Sequence, residues 1–304
     1  MIDKKIVFMG SPEFAIPSFE RLVETFNVVG VVTQPDRPAG RGKEIKPPPV
    51  KQIAEKHKIE CIQPVKLREP GVFEKLVRWN PDVIIVVAFG QILRQDVLEL
   101  PNFGCVNVHG SLLPRWRGAA PIQAAILNGD IETGITIMKM DAGIDTGPIL
   151  QQQSIKIYDS DTTESLGKEL SELGAQVLIE TLYSYFSGKI HPVPQSEIGL
   201  TYAPMLKKED GLLGFSKSAV ELDRQVRAFY PWPGTYMMVG DERIKIISTR
   251  VINNPDYQPG ERAIIDGFPV IGTLDGVLKL ESVQPSGKKN MSGKIFINGF
   301  RDWL

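Results

Sequence analysis

The chain has 304 residues, more than a single core of roughly 100 to 200 residues comfortably holds, so two domains are expected. With 42% apolar, 23% charged and 8% aromatic residues it carries too much apolar content to stay disordered. A formal net charge of -1 argues against a protein wrapped wholesale around nucleic acid, yet leaves room for a local basic surface.

The first apolar run, Ile6 to Gly10, is too short for a signal peptide or a membrane span, and the reading is a cytoplasmic protein without membrane attachment. From there, short β-branched runs alternate with helical patterns. Lys5 to Met9 reads as a strand, Phe14 to Thr25 as a helix and Val28 to Thr33 as a second strand, a βαβ opening. Ser11 is placed to cap that helix, and Pro17 falls awkwardly early within it. Val83 to Phe89 is almost purely apolar, as a central parallel strand buried on both faces should be, and Gly104 to His109 is a more polar strand. Helices follow at about Ala119 to Leu127 and Thr162 to Phe186, with strands at about Gly134 to Met140 and Ile149 to Ile157. The fold class expected is α/β, a doubly wound, mostly parallel sheet.

Residues 1–189 would form this domain and 190–206, with little periodicity, a linker. Beyond it, residues 207–304 hold one helical pattern at about Ser218 to Phe229. Strand-like runs follow at Thr235 to Val239, Ile244 to Thr249, Ala263 to Asp266, Val270 to Gly272 and Val277 to Val283. Together they predict a small β-barrel domain.

Asn107 and His109 lie two positions apart at the end of a strand, so both project from one face. Open α/β sheets place ligands at the carboxyl ends of their strands, and an amide donor beside an imidazole suits a reaction that develops negative charge on a carbonyl oxygen. Asp145, in a glycine-bracketed loop, is the best candidate to orient the imidazole, with Asp141 as competitor. His57, in a charged run, and His191, among prolines, read as solvated. The turn Gly10-Ser-Pro-Glu-Phe14 lacks the glycines of a dinucleotide fingerprint, and no GxxxxGK[ST] phosphate cradle is present. Cys61 and Cys105 form no CxxC pattern, so neither a disulfide nor a metal is expected.

Asn107-Val-His-Gly-Ser-Leu-Leu-Pro-Arg-Trp-Arg-Gly-Ala-Ala-Pro-Ile-Gln123, with residues 141–147, 33–43 and Val226-Arg-Ala-Phe-Tyr-Pro-Trp-Pro-Gly234, resembles the methionyl-tRNA formyltransferase family. The resemblance spans essentially the whole chain. It implies a Rossmann-like formyltransferase domain followed by a small barrel of the oligonucleotide-binding (OB-like) type. It also implies transfer of formyl from 10-formyltetrahydrofolate to the α-amino group of methionine on initiator tRNA, by a monomer. Asn107, His109 and Asp145 would be the catalytic trio, and Ser111, Leu112, Leu113 and Pro114, with Asp141, would belong to the folate site. A protonated His109 beside Asn107 would hold the oxyanion, while Asp145 either pairs with the imidazolium or takes the amine's proton through water.

Residues 34–51 carry Arg37, Arg41, Lys43, Lys46 and Lys51 against Asp36 and Glu44, with prolines and glycines that predict a long irregular loop. Its place after the second strand puts it on the active-site side, where phosphate contact is reasonable. The family resemblance assigns Arg37, Arg41 and Lys43 to tRNA. Arg115, Trp116 and Arg117 offer stacking and charge to a nucleic-acid end, or else form a packed corner. The nearest competing function is formylation of an amino-sugar nucleotide, which would use the same trio but gives no reason for the basic segment. One local departure from the family is Gly211-Leu-Leu-Gly-Phe215, where an acidic or polar residue more commonly precedes the aromatic.

Overall fold

The computed structural model describes residues 4–39, 44–254, 256–300 and 303–304. Two compact units emerge. The first comprises Met1–Pro121, Thr133–Ile155 and Gly167–Ala203, and the second Ile122–Glu132, Lys156–Leu166 and Pro204–Leu304. No helix among the described residues is long and apolar enough to cross a membrane.

Strand β1 (Lys5–Gly10) leads through a 3-10 turn into α1 (Ile16–Thr25) and back along β2 (Asn27–Val32). Pro17 falls in the first turn of α1, where a missing N–H costs no intrahelical bond, so the awkward position disappears. Ser11 does not cap the helix, since its Oγ accepts from the Gln34 backbone N at 2.8 Å and ties the two strand ends together. After β2 comes a short hairpin, β3 (Arg37–Ala39) and β4 (Glu44–Lys46), in place of the irregular loop expected there. Among the described residues three of each strand pair, too few to show as alternation among the prolines. Pro49 then opens α2 (Pro49–Lys56), which is followed by β5 (Cys61–Ile62), α3 (Val72–Trp79), β6 (Val83–Val87), α4 (Gln95–Glu99) and β7 (Cys105–His109). The chain continues through β8 (Arg117–Gly118), α5 (Pro121–Asn128), β9 (Glu132–Lys139), β10 (Ile149–Lys156), α6 (Thr163–Phe186) and β11 (Tyr202–Ala203), with α5 from Ile122 on and the first turn of α6 belonging to the second unit.

The seven-stranded sheet runs β10-β9-β7-β6-β1-β2-β5. The five strands from β7 to β5 are parallel, whereas β9 runs antiparallel to β7, so the expectation of a mostly parallel sheet is met. All five residues of β6 are buried, which is why the sequence there is uninterrupted Val and Ile. One face of the sheet packs Val7, Met9, Ile84, Val86 and Cys105 against Leu76, Trp79 and Val97 from α3 and α4. On the other face Phe8 stacks on Phe19 of α1 at 4.9 Å, and Phe26 meets Tyr183 and Phe186 of α6 at 5.5 and 5.8 Å. Residues 190–203 are fastened to this unit. Val193 exchanges two 2.8 Å backbone bonds with Ile149, and β11 pairs in parallel with β8.

In the second unit α7 (Ala219–Ala228) begins with a capping box between Ser218 and Glu221. Then follow β12 (Thr235–Val239), β13 (Glu242–Ile252), β14 (Arg262–Ile265), β15 (Phe268–Gly272), β16 (Val277–Pro285), β17 (Met291–Ser292) and α8 (Gly293–Gly299), a helix not expected from sequence. They form an antiparallel sheet of order β12-β13-β16-β15-β14, with β17 on β16, which is compatible with a small barrel. Its core joins Leu222 and Val226 of α7 to Ile244, Leu278, Leu280, Phe296 and Trp303. Within Gly211 to Phe215, a Cβ on Gly211 would stand 2.1 Å from the Gly234 carbonyl oxygen, whereas one on Gly214, the residue before the aromatic, would meet nothing within 4 Å, so the departure there has no steric cause.

Candidate active site

The site grows from the carboxyl end of β7. Asn107 pairs with Val86 of β6 and Met138 of β9, and His109 with Thr136. Being two residues apart, their side chains extend the same face as Cys105, the polar end of an otherwise apolar row. Asn107 is 8% exposed and its side-chain amide has no hydrogen-bond partner among the described residues, so both N–H donors are available. Cys105 is no nucleophile, since burial pushes its thiol up to about 12.

The His109 ring is held at both nitrogens. Nε2 lies 3.0 Å from the Trp116 carbonyl oxygen, and Nδ1 lies 3.6 Å from Asp145 Oδ2. A carbonyl oxygen only accepts, so Nε2 carries a hydrogen and Nδ1 is the nitrogen free to gain or lose one. Burial pushes the imidazole below its ordinary value, with the Asp145 carboxylate and the Trp116 carbonyl opposing it. The protonated His109 expected beside the oxyanion is a form that burial disfavours and that Asp145 and the Trp116 carbonyl favour. Only 5% of the residue is exposed, and little water remains to solvate a cation.

Asp145 adopts φ +51°. Its Oδ2 also accepts the Gly118 N–H at 2.9 Å. The loop around it is closed by Asp141, whose Oδ1 accepts from the Gly143 N and the Thr146 hydroxyl at 3.0 and 2.6 Å. Of the two aspartates, Asp145 faces the histidine and Asp141 binds its own loop. Behind Asp145 stands Gln195, whose Nε2 donates to the Asp145 and Gly147 carbonyls at 2.8 and 2.7 Å, and whose Oε1 accepts from Arg117 Nε and Nη2 at 3.0 and 2.7 Å. Arg117 is thus committed to this support. No signal in the sequence marks Gln195, which lies in a stretch without periodicity.

Within 111–114, Ser111 and Leu113 are 0% and 3% exposed, while Leu112 and Pro114 are half-buried. The Ser111 hydroxyl donates to the Arg115 carbonyl at 2.6 Å. Thr136 Oγ1 donates to the Ser111 carbonyl at 2.6 Å and accepts from the Leu113 N–H and Gln152 Nε2 at 3.0 and 2.9 Å. The loop is therefore rigidly backed, and Leu112 and Pro114 are the side chains it leaves partly open.

On the hairpin, Arg37 is exposed and reaches Gln34 Oε1 at 3.1 Å; Arg41 and Lys43 lie outside the described residues. Lys51 is not a free charge. Its Nζ lies 3.0 and 2.9 Å from the two Asp36 oxygens, and Asp36 is held below the usual carboxylate range by Gln63 and by Lys51 itself. Arg115 lies over the Trp116 ring at 4.4 Å, and Trp116 is buried, so that pair forms a packed corner. Among the described residues, no group of three His, Cys, Asp or Glu side chains could hold a metal ion.

The formyl transferase family matches residues 4–182, and the formyl transferase C-terminal domain matches 205–301. The chain is 46% identical to a methionyl-tRNA formyltransferase of Myxococcus xanthus over 299 residues, covering 98% of this chain and 95% of that one. It is 44% identical to that of Geobacter sulfurreducens over 304 residues, covering 99% and 95%. Among solved structures it is similar in fold to the sugar 3N-formyl transferase WlaRD, with a TM-score of 0.69 at 19% identity over 95% of this chain and 100% of that one. It also resembles HypX from Aquifex aeolicus in complex with tetrahydrofolic acid, with a TM-score of 0.63 at 18% identity over 97% of this chain and 47% of that one. At those identities the structures speak for the fold, and the sequence relatives for the kind of enzyme. The chain belongs to the methionyl-tRNA formyltransferase family.

Proposed function

We propose that the site at the end of β7 carries the family's reaction, with Asn107, His109 and Asp145 as the groups that act on the reacting atoms. The reaction moves a formyl group from a formyl-folate, here 10-formyltetrahydrofolate, to the α-amino group of methionine on initiator tRNA. The carrying observation is the placement of His109, with Nε2 on the Trp116 carbonyl and Nδ1 facing Asp145. An α-amino group titrates near pH 8, roughly, so a useful fraction is neutral at pH 7 and attacks without a strong base. As its nitrogen bonds to the formyl carbon, the carbonyl electron pair moves to oxygen. Asn107 donates to that oxyanion. The proton the amine sheds passes to His109 Nδ1, where Asp145 pairs with the imidazolium. Collapse re-forms the carbonyl, breaks the bond to N10 and returns the proton to N10, leaving tetrahydrofolate and N-formylmethionyl-tRNA. On this reading Asp145 charges His109 and His109 holds the proton.

Leu112 and Pro114, with the backbone of 111–114, are the parts of that loop offered to folate, and Asp141 acts there by fixing its own loop. The exposed Arg37, with Arg41 and Lys43, would contact tRNA phosphates. The enzyme would work as a cytoplasmic monomer, needing no metal. Incubation with labelled 10-formyltetrahydrofolate and either methionyl initiator tRNA or an amino-sugar nucleotide should label the tRNA; label on the sugar alone overturns the substrate. Asn107→Ala and Asp145→Ala should each lower turnover by about two orders of magnitude with folate binding retained, and near-wild-type turnover in either defeats the trio. Replacing Arg37, Arg41 and Lys43 together with Ala should weaken tRNA binding and flatten its salt dependence. An unchanged salt slope counts against the hairpin.

A further inference from the structure

We propose that Gln195 is a positioning residue for the reaction, clamping the main chain of Asp145 so that its carboxylate stays aimed at His109; this rests on the assignment of Asp145 above. The side-chain amide has two donors and two acceptor sites, and all four are used. Both donors go to carbonyl oxygens on the two sides of one short loop, Asp145 and Gly147. Both acceptor sites take N–H groups of the Arg117 guanidinium, a group without acceptors. The chemistry of these partners leaves one orientation for the amide, since flipping it would set N–H against guanidinium and oxygen against carbonyls.

The clamp closes a ring. Arg117 is the neighbour of Gly118, whose N–H holds the Asp145 carboxylate at 2.9 Å, and Gln195 returns from the Arg117 side chain to the Asp145 backbone. The segment that grips the carboxylate and the segment that bears it are thereby fixed to each other. Gly118 and Gly147 admit no side chain in this arrangement, for a Cβ would lie 2.5 Å from the Ala203 oxygen and 1.9 Å from the Lys139 oxygen respectively. Gln195 is itself secured, two residues beyond the paired bonds of Val193 and Ile149. The backbone at Asp145 is left-handed, φ +51°, a conformation less favoured for a non-glycine residue and one that the clamp helps to hold. The carboxylate stands 3.6 Å from Nδ1, beyond ordinary hydrogen-bond length, so small drift of the loop changes the contact from useful to absent. Gln195 touches neither of the reacting atoms' acid–base groups. It acts through Asp145.

The test is a double-mutant cycle in full-length enzyme, with Gln195→Met, which keeps the side chain's bulk but none of its hydrogen bonds, in wild-type and Asp145→Asn backgrounds. Single-turnover formyl transfer should fall about ten-fold in the wild-type background, with KM for folate and tRNA unchanged, and should change less than about two-fold in the Asp145→Asn background. The same loss in both backgrounds, a rise in KM alone, or no loss at all overturns the clamp. Should Gln195→Met not fold, Arg117→Lys runs the same cycle, keeping the charge and removing the paired donors, with the same expected and overturning results. Wild-type turnover in Asp145→Asn alone would instead sink the role of Asp145, a result separable from failure of the clamp.

Discussion

Thr136→Val tests the rigidity of the loop beneath the folate-facing side chains. The Thr136 hydroxyl is wholly buried and spends its whole capacity, one donor and two acceptor positions, on Ser111, Leu113 and Gln152. Valine has the same shape and none of this chemistry. Gln152 keeps a partner in the Leu113 carbonyl at 2.9 Å, so two groups are stranded, the Ser111 carbonyl and the Leu113 N–H, in residues that are 0% and 3% exposed. At about 1 to 3 kcal/mol for each stranded group, less a small gain from burying a methyl, the cost is about 3 kcal/mol. With an m value of about 2 kcal/mol/M, the urea midpoint should fall by about 1.5 M. Thr136→Ser retains every hydrogen bond and loses one methyl, about 1 kcal/mol. Urea titrations of the three proteins, with KM for folate measured alongside, separate the cases: valine should lower the midpoint most and raise KM. Equal midpoint shifts for valine and serine would refute the reasoning.

Asp145→Asn removes the carboxylate that opposes burial at His109, so the ring should titrate at lower pH than in the wild type, read by 15N chemical shifts of the imidazole; an unchanged or raised titration point contradicts the geometry. Linkage has a matching sign. The unfolded chain binds the His109 proton at an ordinary pKa near 6.5, roughly, and the folded chain only below that, so stability should decline as pH falls from about 6.5 through the folded value. A His109→Gln variant should lose that part of the slope in acid titrations followed by urea unfolding. Gly30→Ala should cost about 1 to 3 kcal/mol by overpacking, because its Cβ would lie 2.3 Å from the Trp79 ring; a thermal melt matching the wild type refutes it. Cys105, buried and with its thiol raised to about 12, should resist iodoacetamide at pH 8 until urea is added, and labelling at Cys105 of the native chain, told apart from the half-buried Cys61 by peptide mapping, would show that the core beneath the site is open.

Much of the fold could be read because burial dictated residue type locally. β6 is apolar at every position since both of its faces are covered, and the helical pattern from about Ser218 matches α7, which the Ser218 and Glu221 capping box begins. The hairpin of β3 and β4 escaped notice, as the three residues per strand that pair among the described residues cannot establish a period of two. α8 was hidden by its brevity, seven residues bounded by glycines. At the site, the shared face of Asn107 and His109 followed from strand geometry, but spacing alone could not choose between Asp145 and Asp141; the family motif did. The burial that opposes a charge on His109 was not legible, because sequence gives no measure of enclosure. Gln195 was invisible for a different reason, since its partners lie 78 and 50 positions away and a polar residue in an aperiodic stretch looks like solvent-facing chain.

The strand order also has a temporal side. β1 lies between β2 and β6, and its pairing with β6 joins Ile6 to Val83 and Gly10 to Val87. During synthesis from the amino end, β2 reaches β1 almost at once, whereas the other edge of this strand, apolar from Ile6 to Met9, waits for residues some eighty positions later. A ribosome paused after β5 would present β1 with one long edge bare, a template for pairing with a neighbouring nascent chain. The enzyme's vulnerable moment therefore belongs to its birth, before the strand that bears Asn107 and His109 has been made.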